Sequence, residues 1–204
     1  MKYSKSILAV WGSLWLCAVG TGLFIMLKYE NTPGLTGAPP PRWPVTSQIH
    51  RMPGHTTLVM LAHPHCPCTR ASIGELAVLM AHAPEPLDAY VLFLTPPGIT
   101  DSWEKTDLWY SAAAIPGVHV LPDKEGVETR RFQATTSGQT VLYDAEGRLV
   151  FNGGITGSRG HFGDNAGRSA ILSFLHQRAA ARTQTFVFGC SLFDPAVGQT
   201  TILR

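Results

Sequence analysis

The chain has 204 residues, 45% of them hydrophobic and 15% charged, with a formal net charge of +2. This composition fits one globular domain with additions, and no block of Lys or Arg is present to follow a nucleic-acid backbone. The four cysteines, Cys17, Cys66, Cys68 and Cys190, are too few for a small scaffold stapled by disulfides.

Lys2 and Lys5 precede an uncharged apolar run from Ser6 to Leu27, which Lys28 ends. About 20 apolar residues cross a bilayer as a helix. Positive charge before the run, and Lys28 offset by Glu30 after it, predict a cytoplasmic N-terminus and an extracytoplasmic remainder. Residues 1–30 are therefore read as a single-pass anchor in the cell membrane. A cleaved signal with Ala18-Val19-Gly20 as its small-residue site is the rival, but the apolar run continues to Leu27. Cys17 follows Leu16, where a lipoprotein signal needs a small residue, and is read as a membrane-buried thiol.

Residues 31–44 carry Pro33, Pro39, Pro40, Pro41 and Pro44 and read as a semi-rigid spacer. A domain is predicted over residues 45–183, with an apolar tail over 184–204. Thr57–Ala62 reads as a buried strand and Thr69–Ala83 as a helix, with Ile73, Leu76, Ala77 and Met80 at helical spacing. Thr69, or Ser72 with Glu75 as a capping box, is the expected helix start. Further elements are a strand at Asp88–Thr95, a helix at Asp101–Ala114, a strand at Gly117–Leu121 and a short helix at Gly126–Ala134. Gln139–Tyr143 and Arg148–Gly153 form a strand pair around the turn Asp144-Ala145-Glu146-Gly147. Asn165–Arg182 closes the domain as an amphipathic helix capped by Asp164 or Asn165.

Between the first strand and the first domain helix lies His63-Pro64-His65-Cys66-Pro67-Cys68. Backbone N–H groups and the positive end of a helix stabilise a thiolate at such a junction. A disulfide across one intervening residue is feasible, but its loop-entropy gain is only about 1.6 kcal/mol. A structural staple is therefore the weakest of three readings. In the redox reading, Cys66 is the more exposed, lower-pKa thiol that attacks, Cys68 resolves, and an imidazolium such as His65 lowers the Cys66 pKa. Protein thiols or disulfides would be the partners. In the metal reading, His63, His65, Cys66 and Cys68 hold copper or zinc. Cys190, set in the apolar Phe186-Val187-Phe188-Gly189-Cys190-Ser191-Leu192-Phe193, is a resolving thiol, a third metal ligand or a buried free cysteine. A bridge from Cys190 to Cys66 would close a long loop, worth about 5 kcal/mol. Arg70 is either a thiolate-stabilising or a solvated residue, and Trp103, Trp109 and Tyr110 read as packing.

The element order resembles the thioredoxin fold in the form of membrane-tethered TlpA- and ResA-like proteins. The resemblance covers roughly residues 45–182 and rests on the strand–HCPC–helix stretch at 57–83, PGVHVLPDKEGVETRRF at 116–132 and SGQTVLYDAEGRLVFNGG at 137–154. With ITGSRGHFGDN at 155–165 it is also similar to a RedB-like branch. It implies an α/β, thioredoxin-like three-layer α/β/α sandwich with an N-terminal transmembrane helix, and thiol–disulfide oxidoreductase activity without a cofactor. Sco-like copper proteins share that fold. Two departures stand out. Only Pro67 separates the cysteines, where the family has two residues. Gly138 aligns with the family's cis-proline, which faces the thiols and helps present the partner's backbone.

Overall fold

The computed structural model describes residues 2–84, 87–99, 102–177 and 182–193. Helix α1 (Lys2–Glu30) contains one segment, Lys5–Glu30, long and apolar enough to cross a membrane, and none of its best window packs inside the protein. The domain then runs β1 (Thr56–Ala62), α2 (Pro67–His82), β2 (Leu87–Thr95), α3 (Asp107–Ala113), β3 (Val118–Lys124), α4 (Val127–Arg131), β4 (Gln139–Tyr143), β5 (Leu149–Gly153) and α5 (Ala166–Gln177).

The sheet order is β3-β2-β1-β4-β5, with β1, β2 and β3 parallel and β4 and β5 antiparallel to their neighbours. This mixed five-stranded sheet flanked by helices is a thioredoxin-like α/β fold. Strand β1 lies at its centre, and all seven of its residues are buried. Its alternating side chains divide the core. Leu58, Met60 and Ala62 pack with Ile73, Leu76 and Leu79 of α2 and with Ile171, Phe174 and Leu175 of α5. Val59 and Leu61 pack on the other face with Phe132, Val141, Tyr143 and Leu192. The β3 edge accommodates Pro122, as an edge strand can.

The proline-rich stretch lies along the domain instead of standing off it. Leu149 N–H donates to the Pro41 carbonyl at 2.9 Å, and Trp43 N–H donates to the Gly147 carbonyl at 2.8 Å. The Tyr143 hydroxyl donates to Pro40 at 2.9 Å, and the buried amides of Gln139 and Asn152 donate to the Gly37 carbonyl. Prolines lack N–H donors, but their carbonyls satisfy the edge of the β4–β5 hairpin.

Helix α2 starts two residues earlier than expected. Pro67 occupies its first turn and Cys66 is its N-cap, in extended conformation. Thr69, Ser72 and Glu75 all lie within the helix on its buried side. Helix α3 is shorter than expected because 102–106 form turns, and the expected start at Asp101 lies outside the described residues. Strand β3 runs three residues further, since pairing with β2 continues to Thr95–Lys124. Asn165 caps α5, its Oδ1 accepting the Arg168 N–H at 2.8 Å. Residues 178–181 of the expected last helix, and 194–204 of the tail, lie outside the described residues.

Candidate functional site

The site begins where β1 ends. His63 N–H donates to Ser137 Oγ at 2.8 Å, and Cys66 N–H donates to the His63 carbonyl at 3.2 Å, closing a turn. Ser137 Oγ also lies 2.7 Å from Thr69 Oγ1. One buried hydroxyl thus joins the strand exit, the first turn of α2 and the loop before β4. The 63–68 turn is braced from the other side by Thr106, whose hydroxyl donates to the Pro64 carbonyl at 3.0 Å.

Both histidines turn toward Trp103. The His65 ring lies 4.5 Å from the indole, with Nε2 3.2 Å from the Trp103 carbonyl, and the His63 ring lies 5.5 Å from the same indole. Burial, and after it the charge of His65, holds His63 below the usual histidine range.

The tail folds back onto this loop. Ser137 N–H donates to the Cys190 carbonyl at 2.8 Å and Leu192 N–H donates to the Thr135 carbonyl at 2.9 Å, so Thr136 and Ser191 form an antiparallel bridge. A Cβ at Gly189 would stand 2.0 Å from the Ser137 carbonyl oxygen, so glycine permits the approach. Cys190 Sγ then lies 2.8 Å from Cys66 Sγ. Cys66 is 1% exposed, Cys68 is 8% exposed and Cys190 is half-buried. Val187 and Leu192 are core residues, so the tail is part of the domain.

The three thiols have unlike electrostatics. Burial opposes the Cys66 thiolate. Hydrogen bonds from the thiol and backbone of Cys190, from the Thr69 hydroxyl and from the Cys68 N–H outweigh it, and the Cys66 pKa is lowered. Burial, and then the negative charge of Cys66, pushes Cys68 up. Burial, and then the hydrogen bond and charge of Cys66, pushes Cys190 up to about 12. Arg159 opposes both rises. Its guanidinium donates to the Gly189 and Thr32 carbonyls and lies 4.9 Å over the Tyr29 ring, while its N–H donates to the Glu30 carbonyl at 3.0 Å.

Several expectations are corrected. Cys66 is less exposed than Cys68, because the tail covers it. Neither histidine is among the groups that lower the Cys66 pKa, because Trp103 takes both rings. Of the two readings of Arg70, the exposed pair with Asp107 agrees with the solvated one. Of the two residues expected to cap α5, Asn165 does so and Asp164 pairs with Arg168. The copper or zinc reading does not fit the geometry. The four expected ligands do not converge: among the described residues no set of His, Cys, Asp or Glu side chains has the arrangement of a metal site, and the two imidazoles point to an indole. Arg159 was not foreseen as part of the site. Gly138, with φ +86°, holds a left-handed conformation closed to proline, and its N–H donates to the Leu61 carbonyl at 2.8 Å. A groove of about 270 Å³, lined by His65, Cys66, Pro67, Arg70, Thr106 and Leu108 among others, reaches Cys66 but not Cys190.

No protein-family model matches the chain, and no curated protein matches it. Solved structures resemble it in fold. An uncharacterised conserved protein from Geobacillus kaustophilus is 16% identical with a TM-score of 0.56, over 81% of this chain and 94% of that one. A hypothetical protein from Sinorhizobium meliloti is 19% identical with a TM-score of 0.55, over 79% of this chain and 93% of that one. A secreted disulfide oxidoreductase of Mycobacterium tuberculosis is 19% identical with a TM-score of 0.36, over 48% of this chain and 67% of that one.

Proposed function

We propose that this chain is a membrane-anchored, extracytoplasmic thiol–disulfide oxidoreductase of the TlpA- and ResA-like kind, in a RedB-like branch, acting on protein thiols or disulfides. The observation that carries the reading is the split among three adjacent thiols. Cys66, at the mouth of α2, is lowered, while Cys68 and Cys190 are raised. A cluster with one stabilised thiolate and two protonated neighbours suits exchange chemistry. The Cys66 thiolate attacks one sulfur of a disulfide and expels the other as a thiolate. A second thiol of the cluster, Cys68 or Cys190, then displaces the mixed disulfide. The result is an intramolecular disulfide in the chain and two thiols on the partner. The apolar α1 segment, followed by a domain that holds such thiols, supports placement outside the cytoplasm, where disulfides persist.

Alkylation against pH, read residue by residue by mass spectrometry, tests this. A lowered pKa keeps the thiolate populated to lower pH. Cys66 should therefore react with a midpoint below the free-cysteine value of about 8.5, and Cys68 with one above it. Redox titration in glutathione buffers should show one two-electron couple that Cys66→Ser abolishes. A Cys66 midpoint above that of free cysteine, or no titratable couple, would defeat the reading.

A further inference from the structure

We propose that Cys190 is the thiol that meets external thiols and that Cys66 is its internal disulfide partner. This rests on the oxidoreductase reading and specifies its route. The two sulfurs are 2.8 Å apart, and a disulfide bond of about 2.05 Å needs them to close by only about 0.8 Å. Their placement is built into the fold. Two main-chain hydrogen bonds fix residues 190–192 against 135–137, and Gly189 allows the backbone contact beside them. The pair differs in access. Cys66 is 1% exposed, although it lines the groove beside α2, whereas Cys190 is half-buried and is followed by the exposed Ser191.

Exchange at a disulfide favours expulsion of the more stable thiolate. In a Cys66–Cys190 disulfide that leaving group is Cys66, which receives hydrogen bonds from Thr69 and from the Cys68 N–H. An incoming thiolate from a partner dithiol therefore attacks Cys190 Sγ. A partner–Cys190 bond forms, the Cys66–Cys190 bond breaks, and Cys66 leaves with the electron pair. The partner's second thiolate then attacks its own sulfur in the mixed disulfide and releases Cys190, which takes up a proton. The partner dithiol is oxidised and the Cys66–Cys190 pair is reduced.

The test uses the full chain in detergent, oxidised with glutathione disulfide and mapped without reduction. The expected product links the peptides of Cys66 and Cys190, in the native chain and in Cys68→Ser alike. Limiting reduced glutathione, quenched early with acid, should then place its adduct on Cys190 over Cys66 by about tenfold or more. The Cys190→Ser variant should exchange with glutathione disulfide about tenfold more slowly or worse. A predominant Cys66–Cys68 link would overturn the proposal and leave the oxidoreductase reading intact. So would a first adduct on Cys66, or an unchanged rate in Cys190→Ser. Absence of any intramolecular link at every glutathione ratio would overturn both.

Discussion

The loop His63–Cys68 and the tail Val187–Phe193 bring the same functional group to one point and give it opposite character. In the loop, Cys66 stands at the N-cap of a helix and collects donors from the thiol and backbone of Cys190, then from Thr69 and Cys68, and its pKa falls. In the tail, Cys190 has its backbone engaged with residue 137 and its sulfur facing the negative Cys66, and its pKa rises to about 12. Both sulfurs suffer from burial. The difference lies in how many donors point at each sulfur, and two of those on Cys66 are supplied by Cys190 itself. The helix turn adds the Thr69 hydroxyl and the Cys68 N–H, while the Cys190 backbone gives its donor to Cys66 and its carbonyl to Ser137.

The comparison can be broken most strongly through the tail. Leu192 is 4% exposed and packs with Ile49, Val141 and Tyr143. Leu192→Ala should destabilise the domain by about 2–5 kcal/mol in denaturant unfolding. It should also quicken alkylation of Cys66 by a bulky maleimide, because the cover over that sulfur loosens. Unchanged stability and reactivity would mean that the tail does not seal the site.

A smaller effect is expected at the hinge between the regions. Gly138 has φ +86°, and a Cβ there would stand 2.7 Å from Ser72 Oγ. Gly138→Ala should cost about 1–2 kcal/mol for the left-handed conformation, with a further penalty if Ser72 cannot turn away. Thermal unfolding measures it, and no change in Tm would show that the loop adapts freely.

The smallest effect sharpens the electrostatic side. Arg159 holds down the pKa of Cys68 and Cys190, which burial raises. In Arg159→Gln both alkylation midpoints should move to higher pH. A shift of either midpoint to lower pH would contradict the assigned role of the guanidinium.

Much of the fold could be read from the chain because its signals are local. Seven consecutive buried residues mark β1, and the Asp144–Gly147 turn marks the β4–β5 hairpin, where Asp144 Oδ1 accepts the N–H groups of Glu146 and Arg148. The helix mouth at Cys66 was legible for the same reason, although its first turn was misplaced. Thr69 and the Ser72–Glu75 pair have capping chemistry, yet these side chains serve tertiary contacts. Thr69 meets Ser137, and Glu75 accepts from Gly163, Asn165 and Arg168. Packing overrode a local rule. Arg159 escaped notice because its partners lie far along the chain, 127 residues away for the Thr32 carbonyl. The apolar character of the tail announced that it docks, but its place depends on pairing with residues 135–137, which no spacing encodes.

Arg159 also sets a length scale. One guanidinium touches the Thr32 carbonyl and the Tyr29 ring at the end of α1 and the Gly189 carbonyl beside Cys190. In the proposed anchored arrangement the thiols sit about one side chain from the point where the chain leaves the bilayer, with Tyr29 suited to the headgroup layer. Encounter with a partner held in the same membrane becomes a search over a surface, governed by effective concentration in place of bulk affinity. A weak, quickly released contact is then sufficient for exchange, and a large docking interface is unnecessary.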